Sequence, residues 1–124
     1  MDINVLVIDN SDENRTNLVT ILEQAGISST TVTGDFDTVV SQFTQGQYDA
    51  VLLDWNTSIQ DDRNLVQELR ETELNAPLFI ISTEAETETA QETHGDQVTE
   101  YWTGTFDAEW LQEKFNLHLI TSTS

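Results

Sequence analysis

Three short runs of aliphatic side chains constrain the fold of this chain more than anything else in it. Ile3–Ile8 (INVLVI), Ala50–Leu53 (AVLL) and Leu78–Ile81 (LFII) carry almost no polar interruption. Runs this short and this uniformly apolar fit strands covered on both faces, which is the condition of a parallel sheet rather than of an antiparallel one with a wet side. Each run breaks off at polar residues: Asp9-Asn10 after the first, Asp54 after the second, Ser82-Thr83 after the third.

The segments between them have helical periodicity. Asn14–Ala25 places Leu18, Val19, Ile21, Leu22 and Ala25 at spacings of three and four, and Gly26 supplies the stop. Asp35–Gln45 carries Phe36, Val39, Val40 and Phe43 on one stripe and ends at Gly46. Leu65, Val66 and Leu69 mark a third helix, closed before Pro77. Glu84–Thr93 has helical length but only Ala85 and Ala90 to pack with. Asp107 is placed to cap a last helix bearing Trp110, Leu111, Phe115, Leu119 and Ile120, before a polar tail over Thr121–Ser124. Ser28–Val32, β-branched but polar, reads as an outer strand, and Val98–Thr103 as a fifth strand with Tyr101 and Trp102. Strands alternating with helices predict an α/β domain: a doubly wound, five-stranded parallel sheet with helices on both faces. The 124 residues suffice for one such domain, 1–124, and no repeat or linker divides them.

Composition narrows the function classes. Lys+Arg is 4 against Asp+Glu 23, a formal charge of −19, which opposes binding to nucleic acid or to an anionic membrane. Cys is 0, so thiol catalysis, zinc–thiolate sites and disulfides are excluded. No signal-peptide pattern and no apolar stretch of membrane length is visible, and the expectation is a cytoplasmic domain, monomeric or weakly dimeric. The acidity has two readings. It keeps a protein hydrated in high salt, or it presents a negative surface to a basic partner.

In an open parallel sheet, ligands gather at the carboxyl ends of the strands, where strand order reverses. Asp9, Asn10 and Asp54 converge on that edge as an oxygen-only set suited to Mg²⁺, and a carboxylate beside such a cation can attack a phosphoryl group. The same residue types also serve simply as strand ends and helix caps. Phosphate-loop, dinucleotide and nucleophile-elbow motifs are absent. His94 and His118 have no partner at ligand spacing and are expected at the surface or on helix flanks. Trp55, beside Asp54, is expected to line the site, and Trp110 to lie in the core.

The stretches VLVIDNSDENR (Val5–Arg15), YDAVLLDWN (Tyr48–Asn56), APLFIIST (Ala76–Thr83) and EYWTGTF (Glu100–Phe106) resemble, in order and over nearly the whole chain, the receiver domain of two-component response regulators. The resemblance implies a flavodoxin-like sheet of the receiver type. It makes Asp54 the acceptor of a phosphoryl group from a histidine kinase. It also implies Mg²⁺ held by Asp9, Asn10, Asp54 and the backbone carbonyl of Asn56, with Ser82 and Tyr101 as a switch pair. The chain departs from the pattern in three places. Asn10 stands where the family has a second acid. Gly104-Thr105 stands where it has lysine and proline, and Thr57-Ser58-Ile59-Gln60 lacks the usual Pro-Gly. Asn10 supplies an oxygen but no charge, so the metal is expected to be weakly held, with Asp12 or Glu13 as substitutes that could swing in. Gly104 supplies no ammonium for phosphoryl oxygens, and Lys114, about ten residues downstream, is poorly placed to replace it.

The reading that follows is an atypical receiver acting as a signalling and protein-interaction module, with phosphoryl acceptance at Asp54 weakened or lost. At most it would have self-phosphorylation from a donor and slow dephosphorylation as activity. Its partner would be a histidine kinase or another basic surface, because Glu84, Glu86, Glu88 and Glu92 make the fourth helix acidic. The alternatives are a working Mg²⁺-dependent receiver adapted to high salt, and a small domain binding a flavin or nucleotide at the same edge.

Overall fold

A computed structural model of the chain describes residues 3–32, 36–46, 48–60, 63–72, 76–103 and 107–117. The first apolar run forms β1 (Asn4–Ile8), followed by α1 (Asp12–Gln24), β2 (Ser28–Val32), α2 (Phe36–Gln45) and β3 (Ala50–Asp54). A single helical turn, α3 (Trp55–Ser58), then leads into a two-stranded antiparallel ribbon of β4 (Ile59–Gln60) and β5 (Arg63–Asn64). After α4 (Leu65–Thr72) come β6 (Leu78–Ser82), α5 (Glu84–His94), a 3-10 turn at Gly95–Gln97, β7 (Glu100–Thr103) and α6 (Ala108–Phe115).

The five long strands make one sheet in the order β2-β1-β3-β6-β7, and every pairing is parallel. From β1 the chain winds out to β2 on one side, then crosses to β3 on the other, so strand order reverses between β1 and β3. The doubly wound parallel architecture expected from the apolar runs is the one observed.

Alternation along each strand divides the core in two. Leu6 and Ile8 of β1, Val51 and Leu53 of β3, and Leu78 and Ile80 of β6 face α2, α4 and α5, where they meet Phe36, Val39, Phe43, Leu65, Leu69 and Ala90. Val5, Val7, Ala50, Leu52 and Phe79 face the opposite layer and meet Leu18 and Leu22 of α1 and Leu111 and Phe115 of α6. All of these strand residues are almost wholly withdrawn from water, each fully buried aliphatic side chain contributing about 2 kcal/mol before entropy is counted. On the α1/α6 side, Trp102 stacks on Phe79 with centroids 4.4 Å apart, and Trp110 meets Trp102 edge-on at 4.9 Å. Trp110 is only half-buried, at the margin of the core rather than inside it.

Boundaries shift where capping decides them. Ser11 accepts from the Asn14 N–H at 3.3 Å, so α1 starts at Asp12, before its apolar stripe begins. Gly26 ends it in the left-handed region at φ +75°, a geometry that favours glycine. Asp107 caps α6 as expected, through the Trp110 N–H at 2.9 Å. The fifth strand pairs only from Glu100, while Val98 turns inward as a core residue. The turn α3 and the β4–β5 ribbon replace what the sequence pattern leaves as loop. Leu119, Ile120 and His118 lie outside the described residues. No helix among the described residues is long and apolar enough to cross a membrane.

Candidate functional site

Parallel registry builds the site. Ile8 pairs with Leu53 and Asp54 with Ile81, so Asp9, Asp54 and Ser82 leave adjacent strands side by side at the carboxyl edge. They open into a cleft of about 710 Å³, whose wall also includes Asn56, Glu86, Ile81 and the α1 side chains Leu18 and Ile21.

Asp9 is 3% exposed. Its Oδ1 accepts from the Ser11 N–H at 2.9 Å, and its backbone carbonyl accepts from the Arg15 guanidinium at 2.7 Å, with Arg15 also paired to Asp12. Burial raises the Asp9 pKa, opposed by the Ser11 N–H, the Asn14 side chain and the Arg15 charge. Asp54 is raised too, first by burial and then by the charge of Asp9, with Glu86 adding a smaller repulsion. Its Oδ2 accepts from the Thr57 N–H at 3.1 Å and the Thr57 hydroxyl at 3.2 Å, which pull the other way. The floor of the cleft thus holds two carboxylates that are short of compensating charge.

Thr57 does double duty. Its Oγ1 donates to Asp54 and accepts the Asn10 N–H at 3.2 Å, tying the loop after β1 to the turn after β3. Asn10 itself is exposed and does not line the cleft. Asn56 lines it, and its side-chain amide donates to Glu86 Oε2 at 3.0 Å, while Glu86 Oε1 accepts the Thr83 N–H at 2.9 Å. Those bonds, the Thr83 N–H foremost, lower the Glu86 pKa and keep it charged at the rim. Ser82 is buried, with its Oγ 3.0 Å from Thr87 Oγ1. Because the Thr87 hydroxyl donates to the Thr83 carbonyl, Ser82 is the donor of that pair.

Tyr101 is not at the cleft. It is half-buried against the α2/α4/α5 core, and its hydroxyl donates to the Gly95 carbonyl at 2.7 Å. Trp55 does not line the cleft either, contrary to the expectation from its place beside Asp54. As the first residue of α3 it turns away from the pocket into the core. Lys114 is occupied elsewhere, ion-paired to Glu100 at 2.8 Å. Gly104, Thr105 and Phe106 lie outside the described residues.

Behind the site is a group the sequence placed at the surface. His94, the last residue of α5, is 2% exposed, its ring edge-on to Trp55 at 5.4 Å. Its Nε2 lies 3.0 Å from Ser58 Oγ, and burial lowers its pKa to about 4. The available signal was its spacing, four residues beyond Ala90 on the only stripe α5 buries. Thr57, Ser58 and Glu86 were also missed, because their roles rest on a turn that hydrophobic periodicity does not show.

Among the described residues no three acidic or histidine side chains cluster as a ready metal cage. A hard cation in the cleft would have Asp9, Asp54 and backbone or amide oxygens to draw on. A strand-edge carboxylate pair at the switch point of a five-stranded parallel sheet, with a hydroxyl ending the next strand, defines a receiver-type site. The response regulator receiver domain model matches residues 5–116, and the chain belongs to this family, the receiver domains of two-component signalling.

Solved structures agree. The receiver domain of the Pseudomonas aeruginosa PAO1 sensor histidine kinase PA1611, which has a magnesium ion coordinated in its active-site cleft, superposes with TM-score 0.78 at 20% identity, over 96% of this chain and 98% of that one. The Francisella response regulator 1452 receiver domain gives TM-score 0.78 at 26% identity, over 99% and 100%. NtrX of Brucella abortus gives 0.81 at 24% identity, with 99% of this chain covering 28% of that longer one. No curated protein matches the chain.

Proposed function

We propose that the chain is an atypical receiver in which Asp54 accepts a phosphoryl group at reduced efficiency, and which signals inside the cell by contact with a protein partner. The observation that carries this reading is the pairing of Asp54 with Asp9 on the floor of the cleft, where burial raises both carboxyls and the charge of Asp9 raises Asp54 further. That arrangement is costly to the apo fold and is relieved by a cation. The donor set is hard and oxygen-only, so it fits Mg²⁺, which would be held by Asp9, Asp54 and the carbonyl of Asn56. Bound there, the ion supplies positive charge against the carboxylates and the incoming phosphoryl oxygens. Asn10 contributes only its N–H to Thr57 and no charge to the cleft, which supports weak binding of the ion.

The transfer itself is a substitution at phosphorus. An Asp54 oxygen forms the new bond as the bond to the donor's leaving nitrogen or oxygen breaks, and a mixed anhydride remains on Asp54. The Thr57 N–H and hydroxyl hold one Asp54 oxygen, Oδ2, and thereby orient the carboxylate. Ser82, whose hydroxyl now donates to Thr87, is the group able to turn toward a phosphoryl oxygen. Tyr101 responds only at a distance, by changing its hold on Gly95. The partner surface is acidic: Glu84, Glu88 and Glu92 are exposed along α5, which suits a basic partner.

The test is an NMR titration with Mg²⁺ and then with Mg²⁺ plus beryllofluoride. Weak Mg²⁺ binding is expected, tightened by Asn10→Asp, with a small response at Ser82 and Tyr101 that grows in the Asn10→Asp, Gly104→Lys double variant. Unchanged Mg²⁺ affinity in Asn10→Asp overturns the account of the missing acid. A full beryllofluoride response in the unaltered chain would show that acceptance is not reduced.

A further inference from the structure

His94 takes no part in the phosphoryl chemistry, although it is the most thoroughly buried titratable side chain among the described residues. Its hydrogen bonding is informative. The Ser58 hydroxyl donates to the Trp55 carbonyl at 2.6 Å and has no second proton to give. The 3.0 Å contact with His94 therefore runs the other way, from Nε2–H to Ser58 Oγ. That assigns the ring as the neutral Nε2–H tautomer and leaves Nδ1 as a bare lone pair, and among the described residues Nδ1 is indeed buried without a partner. Proteins rarely bury a polar atom unmatched unless another contact of the same group is worth the loss.

The other contact reaches the acceptor turn. Trp55, Asn56, Thr57 and Ser58 are the whole of α3, and this turn is pinned at both ends. In front, Asp54 caps it through Thr57. Behind, the Ser58 hydroxyl donates to the Trp55 carbonyl and is itself held by His94, whose ring also packs edge-on against Trp55. A four-residue turn has few intrahelical bonds of its own to define it.

We propose that His94, as the Nε2–H tautomer, is a positioning residue for the acceptor turn: through Ser58 it fixes the turn that presents the Asn56 carbonyl and the Thr57 hydroxyl beside Asp54. The role is distinct from the switch pair, since His94 does not line the cleft and the Ser82 hydroxyl bonds to Thr87 instead. It rests on the reading of Asp54 as acceptor only for its chemical consequence, not for the geometry.

Three variants test it. His94→Phe keeps an aromatic ring against Trp55 but removes the donor. His94→Gln offers an amide N–H in place of Nε2–H, and Asp54→Asn removes the acceptor without touching the back of the turn. In His94→Phe, Thr57 amide exchange should quicken and Mg²⁺ affinity fall on the order of tenfold, the usual scale for removing a group that orients a ligand. His94→Gln should recover most of both. Wild-type protection of the Thr57 amide and unchanged Mg²⁺ affinity in His94→Phe would overturn the proposal. Should His94→Phe fail to fold, nitrogen-15 shifts of the wild-type imidazole decide: a protonated Nε2 beside a bare Nδ1 supports it, and the opposite tautomer overturns it. Amide exchange and tautomer need neither metal nor phosphodonor, so a chain that proves unable to accept a phosphoryl group leaves these readouts intact. Asp54→Asn should leave the His94 tautomer unchanged.

Discussion

The short turn after β3 separates two polar clusters that face opposite problems. In front, Asp9 and Asp54 are negatively charged, partly desolvated and adjacent, with no cationic side chain bonded to either carboxylate among the described hydrogen bonds. Behind, Ser58 and His94 are drier still but neutral, and all but one of their side-chain polar atoms are matched. Burial raises the carboxyls and lowers the imidazole, in each case toward the uncharged form. The back has reached that form and stabilises the fold. The front is pushed toward it by burial and, at Asp54, by the neighbouring charge, an arrangement that favours whatever brings positive charge.

The largest effect that could break this contrast is acid. Unfolded His94 protonates near pH 6.5, whereas in the fold it does so only near 4. Between those values the unfolded chain takes up a proton the folded chain refuses, so stability falls as pH falls, by about 3 kcal/mol in all. Asp9 and Asp54 act with the opposite sign: their raised folded pKa values make the native state bind protons first, which favours the fold as pH drops toward the ordinary carboxylate range. Denaturant melts from pH 7 to 4 should show a decline that His94→Gln largely flattens. An equal slope in the two proteins would mean that the back is not the dry, neutral cluster described.

Ser58→Ala comes next. It strips the acceptor from His94 Nε2 and the donor from the Trp55 carbonyl, leaving buried groups unmatched, and should cost about 2 kcal/mol. Urea melts at pH 7.5, where His94 is neutral in both states, isolate that loss from titration. Smallest is Asp54→Asn, which should stabilise the metal-free domain by about 1 kcal/mol, because it removes one of two repelling charges while an amide oxygen can still accept from Thr57. A destabilised Asp54→Asn would place front and back on the same footing.

The fold was legible because its strands are apolar on both sides; INVLVI, AVLL and LFII leave little choice of class. The strand-end residues Asp9, Asp54 and Ser82 were legible for the same reason, since a strand's last apolar residue fixes where its polar successor emerges. What lay hidden depends on hydroxyl direction. Thr57 and Ser58 are consecutive in the sequence, yet one hydroxyl faces Asp54 and the other His94. Nothing in Trp-Asn-Thr-Ser distinguishes them before the turn is formed. Thr83 and Glu86 had the spacing of a helix capping pair, but that pattern does not show that the other Glu86 oxygen reaches Asn56. His94 was misplaced because α5 is polar nearly throughout, so its one buried stripe, Ala90 and His94, looked like surface.

The placement of the three indoles has an optical consequence. Trp102 and Trp110 sit edge to face at 4.9 Å on the α1/α6 side, close enough for their transitions to couple and to mark the near-ultraviolet dichroism of the native core. Trp55 stands apart on the other side of the sheet, its ring against His94 and its backbone one residue from Asp54. An uncharged imidazole is a poor quencher of indole emission and an imidazolium a good one, so the brightness of Trp55 follows the protonation of a single side chain. The domain therefore carries two separate native reporters: a coupled pair that reads whether the chain is folded, and a lone indole that reads the back of the turn after β3.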